Sequence, residues 1–285
     1  MYGPDFTFLG IPRCDLDKPE SYKDADVIIV GAPIDSGTSH RSGAKMGPQA
    51  IRMGDYLPHD ASRPHLAMRI DPLQKLKIYD AGDLLMPGGD LIKSLKVLEV
   101  ATEKISKAGA IAVVLGGDHS IASADVTGIA NHLGKGKVSM IHFDAHADTG
   151  ENQFGALIGH GTPMRRLIES GAVRGDRFLQ LGLRGYWPDD ATFKWMASKG
   201  MKSYEMTEIH HRGMKAVLDE SFSILTDGCD GVFLSVDIDN GTLPKSEVEL
   251  MFSNGALIVI YPEYTSEITS PKSKLEIIEF EISKG

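Results

Sequence analysis

Eight short apolar runs, most of them rich in β-branched residues, recur along this chain of 285 residues, at 27–30, around 78, 111–115, 138–143, 178–183, around 204, 232–236 and 257–260. They are continuously apolar rather than alternating between apolar and polar, which predicts strands buried on both faces, as in a parallel sheet. Helix-like stretches separate them. In "DLIKSLKVLEVATEKISK" the apolar residues Leu91, Leu95, Val97, Leu98, Val100 and Ile105 approximate the helical period. Alternation of strand and helix predicts a three-layer α/β fold with right-handed crossovers. With no Gly/Ser/Pro-rich linker, internal repeat or low-complexity stretch, the whole of 1–285 is expected to be a single domain.

Polar residues gather where these runs end. Asp35, Asp118 with His119, the stretch from Asp144 to Asp148, Arg184, and Asp237 with Asp239 all follow the carboxyl ends of expected strands. That is the edge at which open α/β sheets bind ligands, because several strands deliver side chains to one crevice there. In "HFDAHAD", Asp144, His146 and Asp148 stand at every second position, and an extended chain places them on one face. Asp237 and Asp239 in "SVDID" repeat the spacing, and His119 in "GGDHS" ends a third run.

A lone Asp after a strand is most simply a cap for the next helix, and Asp35, Asp80, Asp83 and Asp118 are assigned that role. The two spaced clusters are different. Carboxylates crowded at a sheet end repel one another unless a cation neutralises them. Four carboxylates and two imidazoles without a thiolate favour Mn²⁺ over a closed structural Zn²⁺ site, and six ligands suit two ions better than one. Two ions sharing a carboxylate leave open positions for an activated water, which is the chemistry of metal-assisted hydrolysis.

Composition narrows the partners. A formal net charge of −9 argues against a nucleic-acid-binding surface, which requires clustered positive charge. Cys14 and Cys229 are the only cysteines and have no metal-ligand or disulfide-framework spacing, in keeping with a reducing compartment. The first residues contain Asp5 and no apolar core of signal-peptide length, and no run approaches the roughly 18 apolar residues of a membrane span. A cytoplasmic protein with neither a membrane nor a nucleic-acid partner is expected.

Taken in order, "GAPIDSGTSHRSGAKMGPQAIR", "GGDHS", "DAHAD", "HGTPMRR" and "SVDID" resemble the ureohydrolase family of arginases, agmatinases and related guanidino hydrolases, over roughly 8–239. The resemblance implies the family's mainly parallel eight-stranded sheet, a binuclear Mn²⁺ centre, hydrolysis of a guanidinium to an amine plus urea, and a homo-oligomer, trimer or hexamer. It implies His119, Asp144, Asp148 and Asp237 as ligands of one ion, and Asp144, His146, Asp237 and Asp239 as ligands of the other. Asp144 and Asp237 then bridge, which makes Asp144 part of the catalytic machinery as well as a ligand. His160 in "HGTPMRR" matches the family's proton-shuttling histidine, a task suited to a side chain that titrates near neutrality. His40, His59, His65, His132, His142, His210 and His211 carry no such match and are assigned to structure or surface.

The loop "GENQFGALIGHGTPMRR" is more similar to the agmatinase, guanidinobutyrase and proclavaminate amidinohydrolase branch than to arginases. Agmatine is therefore the expected substrate, with guanidinobutyrate or a formimino compound as alternatives. The resemblance fails after Asp239. Where the family continues with a Thr-Pro-Glu segment whose glutamate pairs with the guanidinium, this chain reads "NGTLPKSEVELMFSNG", so 240–285 is an atypical C-terminal segment. Loss of a desolvated ion pair costs about 3–5 kcal/mol, roughly two to four orders of magnitude in rate. The alternative to an active enzyme is thus a catalytically impaired, metal-binding subunit.

Overall fold

The computed structural model describes residues 7–54 and 69–237, with the backbone alone of 261–262 and 275–276. Asp239, His59, His65, the expected strand at 257–260 and, apart from those two pieces of backbone, the atypical segment 240–285 lie outside the described residues. In chain order the principal elements are β1 (Val27–Ala32), α1 (Gly47–Met53), α2 (Pro72–Lys75), β2 (Ile78–Asp83), α3 (Leu91–Lys107), β3 (Ile111–Gly116), α4 (Ile121–Leu133), β4 (Val138–Phe143), α5 (Pro163–Ser170), β5 (Val173–Leu183), α6 (Asp190–Ser198), β6 (Lys202–Glu205), α7 (Met206–Arg212), α8 (Met214–Leu225), β7 (Gly231–Val236), β8 (Tyr261–Pro262) and β9 (Leu275–Glu276).

Seven of the eight apolar runs become strands, and every pairing among β1 to β7 is parallel. They form a three-stranded sheet ordered β2-β1-β3 and a four-stranded sheet ordered β6-β5-β4-β7; β8 and β9 pair antiparallel. The expected count of eight parallel strands is not reached among the described residues, because the eighth run lies outside them. The described residues fall into two compact units, one within Met1–Gly134 and Ala147–Ala172, the other within Lys135–His146 and Val173–Gly285.

In the first unit β1 is buried along its whole length, as its unbroken apolar sequence predicts. Ile28 and Val30 pack with Cys14, Tyr22 and Ile105, while Ala32 and Ile34 pack with Leu95, Leu98 and Ala124. Helix α3 begins at Asp90, whose carboxylate accepts from the backbone N–H of Lys93 and so satisfies one orphan donor of the first turn. Its partner α4 approaches closely at Gly128, where a Cβ would stand 2.3 Å from the Glu99 carbonyl oxygen. No side chain fits there, so glycine sets the helix spacing. Thr102 donates its hydroxyl to the Asp125 carbonyl across the same contact.

Asp80 and Asp83, assigned as helix caps, turn out otherwise. Asp80 sits inside β2 with its side chain fully buried, and its carboxylate takes a bidentate pair from Arg52, Nε to Oδ2 at 2.8 Å and Nη2 to Oδ1 at 2.9 Å. Asp83 pairs with the remaining Arg52 nitrogen. The basic partner lies 28 residues upstream of Asp80, so neighbouring residues gave no sign of it. The second unit is held by Ile141, Phe143, Leu179, Leu181, Tyr204, Ile209 and Val217, which close the faces of β4 and β5 against α7 and α8. No helix among the described residues is long and apolar enough to cross a membrane.

Candidate metal centre

Each expected ligand among the described residues follows the carboxyl end of a strand. After β3 the chain makes the turn "GGDHS" before α4, and this turn is clamped to the segment after β1. Gly117 N–H donates to the Ala32 carbonyl and Asp118 N–H to the Ile34 carbonyl. A Cβ on Gly117 would stand 2.0 Å from the Ile34 oxygen, so only glycine permits the approach. The Asp118 carboxylate then accepts from Gly37 N–H at 2.9 Å and Ser120 N–H at 3.0 Å. Asp118 therefore does not cap α4 as assigned, since the N-cap position belongs to Ser120 and no side chain caps it; it ties the turn to the loop after β1 instead. His119 projects from this clamped turn, its side chain nearly buried, with Nδ1 2.9 Å from Asp148 Oδ2.

Asp148 lies in the first unit with His119. Its φ of +50° is unusual for a residue other than glycine, although aspartate tolerates this region better than most. What over-determines the strained backbone is the motif "HGTPMRR". Pro163 opens α5, where a missing N–H costs nothing. Met164 N–H donates to the Asp148 carbonyl, Gly150 N–H to the Gly161 carbonyl, and Arg165 Nε to the Thr149 carbonyl at 2.8 Å. His160 stands in the same loop, with its backbone N–H on the Gly37 carbonyl. Its Nε2 accepts from Ser39 N–H at 3.2 Å and lies 2.9 Å from the Ser39 hydroxyl.

In the second unit Asp144 follows β4, its carboxylate 1% exposed. Oδ1 accepts from His146 N–H at 2.7 Å and lies 3.6 Å from His146 Nδ1, while Oδ2 lies 2.8 Å from His142 Nε2. Asp237 follows β7, the strand beside β4, and its N–H donates to the Phe143 carbonyl, which brings it alongside the start of the Asp144 loop. Arg184 likewise donates its N–H to the Ala145 carbonyl from the end of β5. The structure thus gathers His119 with Asp148 in one unit, and Asp144, His146 and Asp237 in the other. His142, expected to serve structure or the surface, lies fully buried on the Asp144 carboxylate. The available signal was a histidine inside the otherwise apolar run "VSMIHF".

All these donors are carboxylate oxygens and imidazole nitrogens, and the Asp144 carboxylate is held ready-made in a buried setting. Such a set fits a divalent ion of intermediate hardness such as Mn²⁺.

The family model "Arginase family" matches residues 25–241, which include every expected ligand, and the chain belongs to that family. It is 32% identical over 241 residues to a guanidinobutyrase of Pseudomonas aeruginosa, across 84% of this chain and 72% of that protein. A mitochondrial agmatinase of Gallus gallus is 32% identical over 75% of this chain, a stretch that spans only 61% of the relative. Among solved structures, proclavaminate amidino hydrolase from Streptomyces clavuligerus superposes with a TM-score of 0.70 at 28% identity, covering 84% of this chain and 74% of that one. The architecture is therefore the arginase-like α/β fold that the motifs imply.

Proposed function

We propose that this chain is a manganese-dependent amidinohydrolase that cleaves a linear guanidino compound, agmatine first and 4-guanidinobutyrate next, to an amine and urea. The observation that carries the proposal is the donor set itself: carboxylates and imidazoles, and no thiolate, follow the ends of β3, β4 and β7 in the family's order. His119, Asp144, His146, Asp148, Asp237 and Asp239 would hold two ions, with Asp144 and Asp237 shared. When bound, the ions supply Lewis-acid activation of water and polarisation of the substrate. His160, tied to Ser39 in a loop that α5 fixes, would hold the proton that the departing amine requires. A cytoplasmic homo-oligomer is part of the same proposal.

The replaced segment after Asp239 favours a second reading, a metal-bearing subunit that does not turn over. One panel separates the two. Mn²⁺-loaded protein is offered agmatine, 4-guanidinobutyrate, 3-guanidinopropionate and arginine, with Asp144→Asn as control, and urea is measured. Release from one compound, abolished in the control, establishes the enzyme and names its substrate. Two ions bound per chain with no urea from any compound sinks the enzymatic proposal in favour of the second reading. Release of formamide from a formimino substrate would move the chain to that branch.

A further inference from the structure

The interior of the second unit contains a line of polar residues that an apolar sheet has no need of. By strand register, Ser203 on β6 stands beside Gln180 on β5, Gln180 beside His142 on β4, and His142 beside Ser235 on β7. Gln180 and His142 are fully buried and Ser235 nearly so. On β4, β5 and β7 the neighbouring rows are apolar: Ile141 with Leu179 and Leu234 on one side, Phe143 with Leu181 and Val236 on the other. Polar groups at such a depth are costly unless every one is bonded.

Ser203, Gln180 and His142 are bonded head to tail. The Ser203 hydroxyl donates to Gln180 Oε1 at 3.4 Å, and Gln180 Nε2 donates to His142 Nδ1 at 3.1 Å. His142 Nε2 then donates to Asp144 Oδ2 at 2.8 Å. Each donor meets an acceptor in one direction, and the direction dictates the tautomer: with Nδ1 accepting from an amide, the proton must sit on Nε2, facing the carboxylate. Phe178 meets the His142 ring edge-on, with centroids 6.1 Å apart, and confines its plane.

Resting on the metal-centre proposal above, we infer that Ser203, Gln180 and His142 form a positioning network that presents the Asp144 carboxylate to its metal ions. One oxygen is held from behind by the His142 imidazole, and the backbone N–H of His146 holds the other. His142 is then an outer support for a shared ligand, and Gln180 is the residue that keeps the histidine in the right tautomer. Such outer partners typically govern metal affinity by about tenfold to a hundredfold.

The test reads affinity rather than turnover. Mn²⁺ is titrated into metal-stripped wild type, His142→Leu, His142→Gln and Gln180→Met, and free Mn²⁺ is followed by its electron paramagnetic resonance signal. Thermal melts of the metal-free proteins report folding. The expected result is an affinity weakened about tenfold to a hundredfold in His142→Leu and Gln180→Met. His142→Gln, which keeps a donor near the Nε2 position, should recover most of the loss. If His142→Leu does not fold, Gln180→Met decides the matter, since it keeps the size of the side chain. Wild-type affinity in folded His142→Leu or Gln180→Met would overturn the inference while leaving the metal centre standing. A wild type that takes up no Mn²⁺ would remove the metal centre and this inference together.

Discussion

His160 and Asp125 show how differently two titratable residues can be used. His160 sits in a loop fixed by α5 and makes its polar contacts with Ser39. If it carries the amine's proton, His160→Asn should lower kcat by about 10²- to 10⁴-fold while leaving bound Mn²⁺ unchanged, as metal analysis alongside urea release would show. Asp125 on α4 has the opposite character: Oδ1 has no hydrogen-bond partner among the described residues, and burial pushes the carboxyl up to about 8. The unfolded chain ionises the same group near its ordinary value of 3.8. Between those values the folded state binds the extra proton, so stability falls as pH rises through the window. Asp125→Ala should therefore stabilise the protein by a few kcal/mol at pH 8, and melting curves should show the gain shrinking toward pH 4.

At the scale of elements, the Arg52 pair joins α1 to β2. Burial works to raise the Asp80 pKa, but the Arg52 guanidinium and the backbone N–H groups of Phe8 and Gly82 outweigh it and hold the carboxyl below its ordinary value. A depressed acid contributes stability that is present above the ordinary carboxylate range and is lost as pH falls through the folded value. Arg52→Met would leave a buried charge without its partner and should cost about 3–5 kcal/mol in denaturant unfolding at neutral pH. Strand positions were legible where apolar runs stand out from their surroundings, most clearly in β1 and β4, which are buried along their whole length. The role of Asp80 was not. A carboxylate near a strand end looks the same in sequence whether it caps a helix or meets an arginine from another element.

At the scale of the whole molecule, metal and stability should be linked. Ions that bind only the folded chain stabilise it by about 2.7 kcal/mol at a hundred times Kd. Stripping Mn²⁺ with a chelator should abolish urea release and lower the melting temperature, and adding Mn²⁺ back should restore both in step. A melting temperature indifferent to Mn²⁺ would count against all six proposed ligands at once.

The sequence alone determined the class of fold and the candidate ligands. Both are written locally: parallel strands as continuous apolar runs, ligands as carboxylates and histidines at alternating positions where those runs stop. Tertiary structure decided what depends on partners distant along the chain. It joined His119 to Asp148, bound Asp80 to Arg52, and set Gln180 behind His142. A hydrogen bond depends on where two atoms meet in space, and residues on neighbouring strands, far apart in sequence, have no local pattern that announces the meeting.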